Sequence, residues 1–589
     1  MKLLLNLLIL VILGPHLLLA TTYYVGPGGS DGFNGLSLAT SFRTLQKAAN
    51  TVSAGDLVLV SDSTYAGFHH TTSGTAANPI IFKANGTQVI INRRNATTPD
   101  GINIEGADWI VIDGFTVIKQ PRAGIRAALS NHVTVKNNRC LNNQRWGIFT
   151  GFTDDFIAEY NECAFSALEH GIYVSNSSDR AIIRYNTSHD NRAAGLHFNG
   201  DISQGGDGIN HDPQVYNNII YQNGLGGGSA INMDGNQNAL IYNNLLYENH
   251  ATGIALYQID GGGASTGARI YHNTIIQATN SRWGILLVDG ASNAIIKNNI
   301  ILNQHPTRGA INVDPASRTG LVSDYNILTN RFTFDDANTV IDSTGWRGQG
   351  YDLHSYFSPN VNNLFTNFSG SDYSLASGSV AINFGTTDIT PSIFLDLLNQ
   401  TRPIGSRPDA GAYESTFAPL PIHWISAAAR VNVEEITITG KIEDIENACT
   451  ISLYKWDDAG EVYRKIDQQK FNYSSSTISV IFKQYPGSGR HRYKMAAMAS
   501  TSEEIQSKEL AVNIASNAPQ LSPNPTNGIV KVAGLKDNAS WRIFDAAGRL
   551  LQQGFNNVHQ IDLSNFTPGA YLVSIISGGF NSFQWVQKF

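Results

Sequence analysis

The chain has 589 residues, a formal net charge of −7 and only 15% charged residues. Its length exceeds one ordinary core, so several domains or an elongated repeat are expected. The lack of a basic surface argues against nucleic-acid recognition, and three cysteines exclude a disulfide-built scaffold.

In chain order, residues 1–20 (MKLLLNLLILVILGPHLLLA) combine a lysine, a long apolar run and a small final residue. This pattern predicts a secretory signal peptide rather than a membrane anchor. No later apolar run is long enough to span a bilayer, so an exported monomer without a membrane span is expected. The Asn-x-Ser/Thr matches at Asn85 and Asn176 are read as chance in an Asn-rich chain. Residues 22–68 predict a strand, an amphipathic helix within SFRTLQKAANTV and a second strand. Such a unit can cap the open apolar end of a solenoid.

From residue 101 the chain repeats. Units begin GINIEG (101), GIRAAL (124), GIFTGF (147), GIYVSN (171), GLHFNG (195), AINMDG (230), GIALYQ (253), GILLVD (284) and AINVDP (310). A second short strand in each unit ends at an asparagine, from Asn138 through Asn161, Asn186, Asn218, Asn244, Asn273 and Asn299 to Asn326. Short strands at this period, with no helical pattern between them, predict an all-β solenoid, each unit one coil of a parallel β-helix. The asparagines are expected at left-handed turns, their amides stacked in an internal ladder. Cys140 and Cys163, each two places after a ladder asparagine, are expected to stack as small buried residues.

Alternate strand residues face opposite ways. If the apolar residue after each starting glycine points inward, one outward row gathers Tyr173, His197 and Asn232, and the next gathers Asn199, Asp234 and Tyr257. Arg145 and Arg282 recur just before their glycines, as do Trp146 and Trp283. Coils about 4.8 Å apart place coils 171 to 253 within about 15 Å. Two coils are long. Their extra residues, DISQGGDGINHDP (201–213) and QIDGGGASTGA (258–268), leave the same edge on either side of short coil 230. They are expected to form two walls around a polar cleft.

After FAPLP (417–421) the repeat stops. Alternating strands over 416–515 predict a small β-sandwich, and residues 516–589 carry LSPNPTNGIVKV, WRIFDAAGRLL and IDLSNFTPGAYLVSI.

Three stretches carry family resemblances. The YYV…GSD…F.T.Q.A…GD pattern of residues 22–68 resembles the N-terminal cap of right-handed parallel β-helix proteins of the pectate-lyase-like superfamily. RPDAGAYE (407–414) resembles the closing segment of the same family, so the β-helix is expected over 21–415. The C-terminal motifs resemble the type A sorting domain of type IX secretion. They imply an address read by that machinery and a cell-surface or secreted destination.

The superfamily resemblance implies a polysaccharide substrate and, as the leading expectation, a lyase cleaving a uronic-acid polymer by β-elimination. The alternatives are a hydrolase, with Asp201 and Asp234 as its carboxylates, and a non-catalytic carbohydrate-binding or adhesive protein. Elimination requires the uronate carboxylate to be neutralised, a base for the C5 proton and an acid for the departing oxygen. On this reading Asn199, Asp201 and Asp234 form a Ca²⁺ site. His197 serves as base or acid with Tyr173 or Tyr257 as its partner, while Arg145, His170, Asn232, Gln258 and Arg282 contact the glycan. The central rows hold no lysine, and the polygalacturonase motifs are absent apart from EHG (169–171), so no motif names the reaction.

Overall fold

The structure is a computed structural model describing residues 20–335, 338–416, 423–432, 435–445, 449–471, 475–486, 489–499, 505–514, 520–533, 535, 539–555, 559–577 and 580–589. Residues 1–19 of the expected signal peptide (1–20) lie outside the described residues. The chain divides into two compact units, residues 1–418 and 419–589.

The first unit begins with the strand Thr22–Val25, the helix Leu45–Ala49 and the strand Leu57–Ala66. The helix starts where the Thr44 side chain accepts the backbone N–H of Lys47. It buries Leu45, Ala48 and Ala49 in the same core as the first coils, which seals the solenoid end. Coils then stack in parallel register. One sheet contains twelve strands, from Phe68–His70 through Leu196–Asn199 to Val340–Ile341, parallel except for its last pair. The strands of the remaining faces join a 22-stranded sheet. Ile125, Ile148, Ile172, Leu196, Ile231 and Ile254 follow their starting residues and fill the interior, at most 1% exposed.

The asparagine ladder runs through that interior. Each amide bonds the next coil's carbonyl oxygen, as in Asn138 to Asn161 (3.1 Å), Asn186 to Asn218 (3.1 Å) and Asn273 to Asn299 (3.0 Å). The left-handed residue of each turn is not the ladder asparagine but the one before it: Asn137, Tyr160, Tyr185, Asn217, Asn243, His272, Asn298 and Tyr325. The ladder residue keeps negative φ because its side chain must point inward to its stacked copies. A second ladder, unforeseen from the sequence, links Asn191 to Asn223 (2.9 Å) and Asn223 to Asn249 (3.1 Å). Its signal was an asparagine five residues after the first. Cys140 and Cys163 are register partners, fully buried and free.

Residues 361–414 fold back over the 22-stranded sheet. Leu364, Phe365 and Tyr373 join Leu245, Ile276 and Ile300 in a second apolar cluster. Fully buried Arg402 pairs with Glu414 at 3.1 Å and donates to the carbonyls of Asp409 and Gly411.

In the second unit all ladder pairings between strands are antiparallel. Two sheets over residues 423–514 enclose Ile436, Ile438, Leu453 and Phe482, and two more over 520–588 enclose Val530, Ile543, Val573 and Val586.

Candidate active site

The outer face of the twelve-stranded sheet has the rows expected from alternation. Register pairs Phe149 with Tyr173, Tyr173 with His197 and His197 with Asn232; the next row pairs Ser175 with Asn199, Asn199 with Asp234 and Asp234 with Tyr257. The regular glycine-led coil start leaves no room for a one-residue slip, which would turn Ile and Leu outward.

The two long excursions do not stand apart as walls. Ile202 N–H donates to the Asp260 carbonyl at 3.0 Å, and Gly262 N–H to the Gly208 carbonyl at 2.7 Å. The loops therefore join above coil 230. A Cβ on Gly262 would lie 2.0 Å from the Asp207 carbonyl oxygen, and one on Gly261 would lie 2.5 Å from the Gly235 Cα. Only bare backbone permits that approach. The expected open cleft becomes a face bounded along one edge by a single joined ridge.

This closure also changes the surroundings of the residues expected to bind Ca²⁺. Asp234, 2% exposed, lies beneath the ridge. Its Oδ1 accepts the N–H groups of Ile259 (2.9 Å) and Gly261 (3.1 Å), and its Oδ2 accepts that of Asp260 (2.8 Å). Asp201 caps the short turn at Ile202–Gln204 and accepts the Ser203 hydroxyl. Asn199 donates to the Tyr173 hydroxyl at 3.2 Å. Both oxygens of Asp234 and Oδ1 of Asp201 are thus engaged by turn donors, so a cation held by Asn199, Asp201 and Asp234 would compete with those donors. The same contacts engage Asp234, one of the two carboxylates expected for a hydrolase.

Beside the ridge, seven side chains converge. His170 Nε2 lies 2.9 Å from His197 Nδ1, and His170 Nδ1 accepts the Ala194 backbone N–H at 3.1 Å. Tyr173 stacks on His197 with ring centroids 4.8 Å apart and a 14° interplanar angle. Asn232 accepts the Ser229 hydroxyl and donates to the Tyr257 hydroxyl at 2.5 Å. The His197 ring is half-buried, while its Nε2 is sealed from solvent and without a partner among the described residues; Asn199 Oδ1 is likewise unpartnered. An unpaired buried polar atom costs about 1–3 kcal/mol, and such atoms collect where a ligand completes them.

Burial sets the protonation states. It pushes the His197 imidazole down to about 4 and that of His170 well below its ordinary value, His197 adding to the latter effect. Burial raises both phenols, Tyr173 and Tyr257, against the Asn199 and Asn232 donors that favour their phenolates. At neutral pH the cluster is uncharged.

The other expected contacts divide. Arg145 pairs with Glu169 at 2.7 Å, and the second Glu169 oxygen takes the Trp146 indole N–H. Its charge is therefore balanced within the protein. Trp146 stacks on Phe149, while Trp283, 2% exposed, is packed within its turn. Gln258 is exposed and donates to the Gly261 carbonyl within the ridge; Arg282 is exposed, with no side-chain hydrogen bond among the described residues. Strand alternation also places Asn103, Arg126 and Glu105 outward, and the structure joins them: Arg126 bonds Asn103 (2.8 Å) and Glu105 (3.2 Å) on the same outer face.

The family profile described as right handed beta helix region matches residues 78–201 and 161–383, together more than half of the chain. The chain belongs to the right-handed β-helix family. A second profile, the secretion system C-terminal sorting domain, matches residues 520–588. The β-helix protein thus carries a type IX sorting domain that directs it to the cell surface or beyond, and among the described residues no helix is long and apolar enough to cross a membrane. No curated protein matches the sequence. Among solved structures, the chain is similar to an alginate lyase from Paenibacillus sp. str. FPU-7, at 20% identity and a TM-score of 0.37, covering 45% of this chain and 94% of that one. It is also similar to a rhamnogalacturonan lyase (16%, TM-score 0.37, 51% and 84%) and to a lacto-N-biosidase from Eubacterium ramulus (11%, 0.38, 58% and 67%).

Proposed function

We propose that this exported β-helix protein is a polysaccharide-active enzyme that cleaves a uronic-acid polymer by β-elimination, without a metal. The observation that carries the reading is the uncharged cluster itself. An unpartnered buried imidazole nitrogen sits beside the Tyr173 phenol, and the Tyr173 and Tyr257 hydroxyls each accept an amide N–H. Neutral donors fixed in a water-poor site can hold a carboxylate and the charge that grows on it as the C5 proton leaves.

On this reading His197 and Asn232 hold the carboxylate. Tyr173, as phenolate, takes the C5 proton; the C4–O bond breaks as the C4–C5 double bond forms; Tyr257 gives its proton to the departing oxygen. Asn199 favours the Tyr173 phenolate and burial opposes it, so turnover should rise toward alkaline pH. Hydrolysis lacks support, because it needs two carboxylates about 5–10 Å apart and Asp234 is held by three backbone donors.

The test is incubation with alginate, pectate and glucuronan, following both unsaturated-product absorbance and reducing ends. Both signals rising together support elimination. Reducing ends without new absorbance mean hydrolysis, and retention on the polymers without either signal means a binding protein; each of those two results overturns the proposal.

A further inference from the structure

His170 occupies a coil corner, and the sequence assigns it nothing beyond glycan contact. Its two nitrogens have different partners, and together they determine where the protons are. Nδ1 faces the backbone N–H of Ala194 at 3.1 Å. A backbone N–H can only donate, so Nδ1 must present its lone pair. In neutral His170 the proton is therefore on Nε2, 2.9 Å from His197 Nδ1. His197 Nδ1 must accept it, which leaves the His197 proton on Nε2. That nitrogen is the buried atom without a partner.

The opposite arrangement is blocked. A proton on His197 Nδ1 would require a lone pair on His170 Nε2, and the His170 proton would move to Nδ1, against the Ala194 N–H. That exchange forfeits a hydrogen bond and sets two hydrogens face to face. Nor does Glu169 divert the His170 proton: its Oε2 lies 4.0 Å from Nε2 and is already held by the Trp146 indole at 2.7 Å, while Oε1 takes Arg145. The stacked Tyr173 ring and the edge-on contact between the two imidazoles, centroids 4.5 Å apart, hold both rings in these orientations.

We propose that His170 is a positioning residue that locks His197 in the Nε2–H tautomer, making His197 a hydrogen-bond donor to a glycan oxygen and excluding it as the base. The proposal rests on the elimination reading for its substrate but not for the tautomer. It assigns the base role to a phenol, and it explains why a histidine on the reactive face is shielded from charge rather than poised to titrate near neutrality.

The test is imidazole nitrogen NMR of the whole ¹⁵N-histidine-labelled protein at neutral pH, with His197 identified among the 15 histidines by its loss in His197→Gln. Wild type should show a protonated Nε2 and an unprotonated Nδ1 at His197. His170→Gln, whose amide can still donate to Nδ1, should keep that pattern and hold turnover of sodium alginate within about threefold. His170→Glu, which can only accept when ionised, should move the proton to Nδ1. It should also lower kcat about 100-fold, the scale of a lost oxyanion donor, and introduce a histidine-range limb in the pH profile. A protonated Nδ1 in wild type overturns the lock, as does an unchanged tautomer in folded His170→Glu. If His170→Glu does not fold, the wild-type and Gln spectra decide. If wild type cleaves none of the three glycans, the elimination reading fails alone, and the nitrogen spectra still uphold or refute the lock.

Discussion

Replacing Asn218 with leucine tests the first ladder at its centre. Asn218 Oδ1 accepts the backbone N–H of Asn186 at 3.0 Å and the Asn186 amide at 3.1 Å. Its Nδ2 donates to the carbonyls of Ile183 (2.8 Å) and Tyr216 (3.1 Å) and to Asn244 Oδ1 (3.0 Å). Most of these partners keep another bond. The Asn186 amide retains the Ala158 and Arg184 carbonyls, and Asn244 Oδ1 retains the Asn218 backbone N–H. The group left stranded is the Asn186 backbone N–H, at about 1–3 kcal/mol, with roughly 1 kcal/mol more for the weakened amide contacts. Leucine keeps a similar volume, so the cavity contribution is small. Asn218→Leu should therefore lose about 3 kcal/mol in denaturant unfolding. Hydrogen exchange at residues 182–190 should accelerate, while exchange in the N-terminal cap stays unchanged. A loss below about 1 kcal/mol with unaltered exchange would refute the claim that the ladder, rather than strand pairing alone, holds the coils in register.

Further outcomes follow from the same contacts. The His197 imidazole has its ordinary 6.5 lowered to about 4. The unfolded chain therefore gains this proton from about pH 6.5 downward and the folded one only near pH 4. Its contribution is complete above about pH 7 and lost as pH falls, about 2 kcal/mol by pH 5; unfolding of wild type and His197→Gln at both pH values should show this difference, and equal acid sensitivity would contradict it. Gly262→Val places a side chain where the Asp207 carbonyl lies 2.0 Å away, so the ridge must part. Proteolysis within 201–213 and 258–268 should accelerate at least severalfold, with the solenoid core intact. Exhaustive chelation should leave both turnover and thermal midpoint unchanged, because the oxygens of Asp234 are held by backbone N–H groups; loss of either would restore a metal to the account.

Much of the solenoid was legible because each coil repeats one physical demand, an inward apolar residue after a small one. That demand located the outward row of Tyr173, His197 and Asn232 and the ladder from Asn138 to Asn326. Contacts made by backbone alone were not legible. The excursions at 201–213 and 258–268 look identical in sequence whether they stand apart or meet, and their meeting is what buries Asp234. Side-chain partnerships one coil apart, Arg145 with Glu169 and His170 with His197, were present as spacings of 24 and 27 residues but have no signature distinguishing a pair from two solvated groups. The packing of residues 361–414 over the 22-stranded sheet was equally unreadable, because that segment follows no coil period.

The central claim is that the cluster on the outer face of coils 171–253, with Tyr173 ionised, performs metal-independent elimination. Its most direct test is the unsaturated-product assay on alginate, pectate and glucuronan, run with chelator present, for wild type and Tyr257→Phe across neutral to alkaline pH. The account predicts wild-type product that increases with pH and a loss of at least about 100-fold in the folded Tyr257→Phe protein. Wild-type turnover that needs added metal, or a Tyr257→Phe protein as active as wild type, would contradict it.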